Sequence, residues 1–207
     1  MRMFERSAHL FIDFEFTMPE GKNNPCGFFP EIIEVGWILV KEDKIIDQYT
    51  SYVKPESFPI LTSRCKKFLN ITDDHVHQGI PFEELVVLLK KVNRELPAIV
   101  TWGNNDMKVL AQNCRNHGFK MPLTGKQIDL SIEYKRFFGD KNQTGLWKAV
   151  QQYGNTGNGK QHRALDDAIN TYHIFRLVEQ DKRYLDNHES TTIGDIIDFS
   201  NLLNELK

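Results

Sequence analysis

Leu10-Phe11-Ile12-Asp13-Phe14-Glu15-Phe16 is an apolar run interrupted by two acids at alternate positions. Side chains in a strand alternate between faces, so Asp13 and Glu15 share one face while Leu10, Ile12, Phe14 and Phe16 share the other. Asp is a poor residue for a strand interior, and adjacent carboxylates in an apolar strand repel each other and are costly to desolvate. A hard divalent cation with oxygen ligands is the natural partner for such a pair. The plainer alternative is two surface acids on a half-exposed strand.

Glu31 to Lys41 and Lys44 to Lys54 are rich in β-forming residues and flank Glu42-Asp43, which predicts a hairpin and, with the first strand, an antiparallel meander. Leu85, Leu88, Leu89 and Val92 recur at helical spacing behind Pro81, Glu83 and Glu84, giving an amphipathic helix from Pro81 to Glu95. Ala98 to Trp102 reads as a fourth strand, and Asp106 to His117 as a helix stopped by Gly118. Asp129 is placed as the cap of a helix starting near Ser131. Leu146 to Tyr153 is a shorter helix in which Trp147, spaced with Val150, is assigned to the core. A Gly/Asn loop then leads to a long helix from about Ala164 to Asp181. Strands followed by alternating helices and strands make an α/β layered domain with a mixed sheet flanked by helices. The expected division is a domain over 1–182 and a tail over 183–207 packed on it, joined through a polar, linker-like Lys182 to Ser190.

The chain has 207 residues, 40% of them hydrophobic and 26% charged, which suits one globular domain. Nothing approaches the roughly 20 apolar residues of a membrane span. The polar start lacks a signal-peptide segment, and Cys26, Cys65 and Cys114 form no Cys-x-x-Cys pair, so a reducing cytoplasm is expected. His75 and His77 are placed at the surface. The net charge of −2 does not advertise a nucleic-acid binder, but two bound divalent cations would turn it to +2.

Two further signals follow the first. Asp106 in Trp102-Gly103-Asn104-Asn105-Asp106 stands where a strand gives way to a helix, at the sheet edge that commonly carries ligands. His162-Arg163-Ala164-Leu165-Asp166-Asp167 opens the long helix. Within one helix, His162 and Asp167 would splay roughly 140° apart. With His162 on the preceding loop, Asp167 points inward, the imidazole covers the site, and Asp166 turns away. Ala164, Ala168, Tyr172 and Phe175 then form the apolar side of the helix.

This order of acids, with His five residues before the last Asp, resembles the DEDDh exonucleases of the RNase H-like fold. The tyrosine subtype carries Tyr four residues before that Asp, where this chain has Arg163. Phe58 to His75 is similar to the branch of eukaryotic histone-mRNA and small-RNA exonucleases. Leu10 to Gly21, Phe29 to Glu34, Tyr134 to Asp140, Thr144 to Trp147 and Thr192 to Gly194 resemble a bacterial branch named for inhibiting a sporulation kinase pathway. The resemblance implies the three-layer RNase H-like fold, 3′→5′ hydrolysis of single-stranded nucleic acid with RNA favoured over DNA, and release of nucleoside 5′-monophosphates.

By the same resemblance, Asp13, Glu15, Asp106 and Asp167 hold two Mg²⁺ or Mn²⁺ ions, and His162 is the general base. Glu15, His162 and the backbone at Phe16 and Thr17 bind the terminal nucleotide. The eukaryotic branch has an aromatic residue before the third acid, for stacking on the last base. Asn105 departs from this, leaving Trp102, Phe14 and Phe16 as substitutes, although Phe14 and Phe16 lie on the strand face opposite the acids and read first as core. Lys160, Arg163, Lys135 and Arg136 are candidate phosphate contacts. Three other readings remain: a regulatory protein on the same fold, a phosphodiesterase for very short oligonucleotides, and a structural metal-binding domain, which would not need His162.

Overall fold

The structure is a computed structural model in which residues 8–21 and 25–187 are described. The tail expected beyond them, with its Thr192 to Gly194 motif, lies outside the described residues. Five strands, β1 (His9–Phe16), β2 (Ile32–Lys41), β3 (Lys44–Tyr52), β4 (Ala98–Thr101) and β5 (Gln127–Asp129), form one sheet in the order β3-β2-β1-β4-β5. The first three are antiparallel, as the meander reading requires, and β4 and β5 join in parallel. Glu42 and Asp43 both take positive φ, 51° and 59°, the left-handed pair that matches a two-residue hairpin to strand twist.

Among the described residues, seven α-helices accompany the sheet: α1 (Ser63–Leu69), α2 (Asp73–His77), α3 (Phe82–Val92), α4 (Asn105–Asn116), α5 (Leu130–Phe138), α6 (Leu146–Gln152) and α7 (Ala164–Asn187). Alternation along β1 sends its side chains into two layers. Leu10, Ile12 and Phe14 join Phe82, Leu85 and Leu89 of α3 and Met107 and Leu110 of α4 in the main core. On the other face, Phe11 meets Tyr172 of α7, with ring centroids 5.1 Å apart. Helices thus cover both faces of a mixed sheet.

Two compact units are present, residues 1–174 with the sheet and the first turns of α7, and residues 175–207. The polar stretch expected to begin a linker at Lys182 is instead helical through Asn187. Lys182, Arg183, Tyr184 and Leu185 include no glycine or proline, so nothing local stops the helix.

Two irregularities position the site. The β1–β2 register slips between Glu15 and Phe16, so Glu15 faces Glu34 while Phe16 faces Ile32. The extra residue, Ile33, is fully buried in a second cluster with Leu61, Cys65, Leu69, Ile71 and Val76 of the α1–α2 segment. Such bulges re-aim side chains beside functional sites. Gly36 is the second. A Cβ there would lie 2.0 Å from the Leu165 backbone nitrogen, so only glycine lets the start of α7 rest on β2. Gly36 is also the register partner of Asp13, so this contact sets the last acid beside the first.

Candidate active site

Each acid arrives by a different local device. Asp13 and Glu15 project from β1 toward the α7 side. The short β4 pairs β1 only up to Phe11, which leaves the Phe14 N–H beyond its reach. Asp106, in the first turn of α4, completes that edge by accepting the Phe14 N–H at 3.1 Å. One carboxylate oxygen thus ties the helix start to the strand between Asp13 and Glu15. Asp167 is fixed through both oxygens, accepting the Trp147 indole N–H at 2.6 Å and the His162 backbone N–H at 3.1 Å. His162 lies in the loop before α7, with φ of 63°.

Glu15, Asp106 and Asp167 are 8%, 5% and 6% exposed, so three carboxylates are nearly dry. Ligand atoms of Glu15, His162 and Asp167 all lie within 4.8 Å of one another. Burial pushes the Glu15 carboxyl up to about 8, with Asp167, Glu34 and Asp106 adding to the rise. Asp106 is pushed up to about 7 by burial against the lowering hydrogen bond from Phe14. Asp167 rises to about 6, again by burial, against the bonds from Trp147 and His162. Asp13 is raised well above the usual carboxylate range by burial, then by Asp106, Glu15 and Asp167. His162 is lowered by burial.

Four acids that all rise in a dry pocket fit the donor set of a hard divalent cation, which favours oxygen ligands and would reverse these shifts. The folded acids hold protons that the unfolded chain releases near pH 4, so stability falls as pH rises from about 4 through 8. His162 acts in the opposite sense, one group against four. Metal-free protein should therefore melt at lower temperature at pH 8 than at pH 5.5, and Mn²⁺ should stabilise it more at the higher pH. Melting curves with and without Mn²⁺ at the two pH values check this; a Mn²⁺ effect equal at both would contradict it.

Several residues that the sequence left aside shape the pocket. Trp147, assigned to the core, is only half-buried and orients Asp167. Trp147→Phe keeps the ring but removes the bond, worth about 1.5–3 kcal/mol to a charged acceptor, so turnover should fall about tenfold or more and the Mn²⁺ requirement rise. A metal titration of activity checks it, and an unchanged midpoint and rate would count against the bond.

Glu34 faces Glu15 across the strands and accepts a hydrogen bond from Arg163, whose guanidinium also donates to the Tyr52 hydroxyl at 3.0 Å and lies 5.3 Å from its ring centre. Arg163 is thus committed to an ion pair rather than free for phosphate. A cavity of about 530 Å³ opens beside it, lined by Glu34, Tyr52, His75 and Asp166 among others. Asp166 turns from the acid cluster and accepts the Lys160 backbone N–H at 2.8 Å, closing the loop that carries His162. Arg136 bonds Glu133, Lys135 is half-buried, and Lys160 is exposed.

Two of the residues expected near the terminal nucleotide are engaged elsewhere. Phe14 is 2% exposed in the main core and Trp102 donates to the Thr144 carbonyl at 3.0 Å, so Phe14 offers no face to a base while Phe16 and Trp102 are half-buried. Thr17 is buried, its backbone N–H donating to the Glu31 carbonyl and its hydroxyl accepting the Glu31 N–H, both at 2.8 Å. Its backbone donor is therefore occupied. Asp129 caps α5 as read, accepting the Ile132 N–H. His75 is exposed and caps α2 through Thr72, while exposed His77 contacts the Pro59 carbonyl.

The chain is similar to known exonucleases. The profile of a family described as exonuclease matches residues 10–175. The chain is 51% identical over 195 residues to the probable 3′-5′ exonuclease KapD of Bacillus subtilis (strain 168), covering 94% of this chain and 95% of that one. It is 32% identical over 207 residues to 3′-5′ exoribonuclease 1 of Mus musculus, covering 93% of this chain and 59% of the relative. Among solved structures, the nuclease domain of 3′hExo, a DEDDh family member bound to rAMP, matches with a TM-score of 0.76 and 29% identity, over 85% of this chain and 93% of that one.

Proposed function

From the premise that this chain belongs to the exonuclease family, with the RNase H-like fold of its DEDDh members, we propose that it removes nucleoside 5′-monophosphates from the 3′ end of single-stranded nucleic acid, RNA in preference to DNA. The family is divalent-metal dependent. The observation that carries the reading is the convergence of Asp13, Glu15, Asp106 and Asp167 with His162 in one dry pocket.

Asp13, Glu15, Asp106 and Asp167 would hold two Mg²⁺ or Mn²⁺ ions, which supply charge neutralisation and an activated nucleophile in phosphodiester hydrolysis. His162, uncharged at neutral pH because burial lowers its pKa, takes the proton of the attacking water. Asp106 and Asp167 are held by the Phe14, Trp147 and His162 N–H groups, so their orientation precedes substrate. Glu15 and the Phe16 backbone receive the terminal 3′-hydroxyl. Thr17 and Glu31 hold the strand end in place, and Glu31 also accepts the N–H groups of Glu56, Ser57 and Phe58. RNA is favoured by likeness to a relative named an exoribonuclease and to a structure holding rAMP.

No helix among the described residues is long and apolar enough to cross a membrane, and three free cysteines fit action in the cytoplasm. The test is to digest matched single-stranded RNA and DNA with Mn²⁺ and identify the products. Nucleoside 5′-monophosphates from long strands, faster from RNA, support the reading; activity confined to dinucleotides would instead favour a short-oligonucleotide phosphodiesterase. Restraint of a sporulation kinase pathway belongs to the proposal only through likeness to KapD. An inactive variant that still restrained the pathway would separate regulation from hydrolysis.

A further inference from the structure

His162 is left-handed, a conformation that costs a non-glycine residue roughly 1–2 kcal/mol. Its backbone is held by the bond to Asp167. Its ring is held differently. Neither ring nitrogen has a hydrogen-bond partner among the described residues, whereas a general base is ordinarily oriented by a third group bonded to it. Among the described residues, the one ring packed against the imidazole is Phe68, with centroids 4.3 Å apart and planes tilted by 41°.

Phe68 is badly placed for any role in the core. It is 52% exposed, although Cys65 and Leu69 on either side in α1 are buried. The helix beneath it is fastened to the end of the catalytic strand. Thr62 caps α1, accepting the Cys65 N–H at 3.0 Å, and its hydroxyl donates to the Met18 carbonyl at 2.9 Å. The buried Cys65 thiol contacts the Phe16 carbonyl at 3.7 Å. A rigid link therefore runs from β1, which carries Asp13 and Glu15, through α1 to Phe68 and on to the imidazole.

We propose that Phe68 is the positioning residue for His162, an aromatic stop that holds the imidazole over the carboxylates in place of an orienting hydrogen bond. This rests on the exonuclease reading above. Removing the stop leaves a ring free to rotate, and misplacement of a catalytic group by about 1 Å can cost about 10²-fold in rate.

The test is Phe68→Ala alone and combined with His162→Ala, with Phe68→Tyr as the conservative control, on 3′-labelled single-stranded RNA with Mn²⁺. Phe68→Ala should lower kcat about 10- to 100-fold with KM nearly unchanged, and Phe68→Tyr should stay within about threefold of the native protein. In the His162→Ala background, Phe68→Ala should cause no further loss, because two residues acting as one unit are not additive. Additive losses, or a raised KM at constant kcat, would overturn the proposal; the second outcome would make Phe68 a grip for the terminal base. A separate readout does not need turnover: Phe68→Ala should move the His162 ring-proton NMR signals in metal-free protein. An unmoved signal would overturn the contact itself, whereas inactivity of the native protein would count against the exonuclease reading.

Discussion

Asp13→Asn should lower the rate of 3′-terminal hydrolysis by about 10³-fold or more while leaving the metal-free protein at least as stable as the native one. The two effects have one cause. Asp13 stands among Asp106, Glu15 and Asp167, and each of these raises its pKa. Replacing it with an isosteric amide relieves that crowding but removes a ligand from the donor set. Active sites hold such destabilising groups where function needs them. Initial rates on labelled RNA and a melting curve for each protein check the pair. Loss of activity together with loss of fold would mean that Asp13 serves structure instead.

His162→Gln should lower kcat by about 10²- to 10⁴-fold, the range for loss of a positioned general base. Stabilisation by Mn²⁺ should largely survive, because the four carboxylates remain. The His162 backbone N–H that holds Asp167 survives the substitution too, so the acid keeps its orientation. A variant that lost the Mn²⁺ stabilisation as well would make His162 a metal ligand, an arrangement its distance to Glu15 and Asp167 also permits. Parallel kinetics and melting curves separate the two roles.

Much of the frame could be read from local pattern. The hairpin turn at Glu42-Asp43, the apolar repeat of α3 and the glycine stops after α4 and α6 are short-range signals. The helices α1 and α2 are only seven and five residues long, too short for periodicity to show, and depend on Thr62 and Thr72 caps that are plain only with the chain folded. The three-residue β5 exists because β4 offers it a parallel partner.

The acids were legible for a related reason. Asp106, an acid in the first turn of a helix, gains weight only in company with the others, but Asp13 and Glu15, carboxylates inside an apolar strand, announce themselves without the fold. Their supports do not. Glu34 and Arg163 are 129 residues apart, and Trp147 looks like any helical aromatic until its indole meets Asp167. Phe68 likewise gains meaning only against His162. Gly36 did leave a trace, as a glycine within a long buried strand, where close approach of another backbone is the usual reason.

The most direct test of metal-dependent 3′→5′ hydrolysis is a time course on one single-stranded RNA labelled at either end, with Mn²⁺ or with chelator. With Mn²⁺, the 5′-labelled strand should shorten as a ladder from its 3′ end, while the 3′-labelled strand loses its label at once as mononucleotide. Chelator should stop both. Internal fragments, loss of the 5′ label first, or shortening undiminished by chelator would contradict the account.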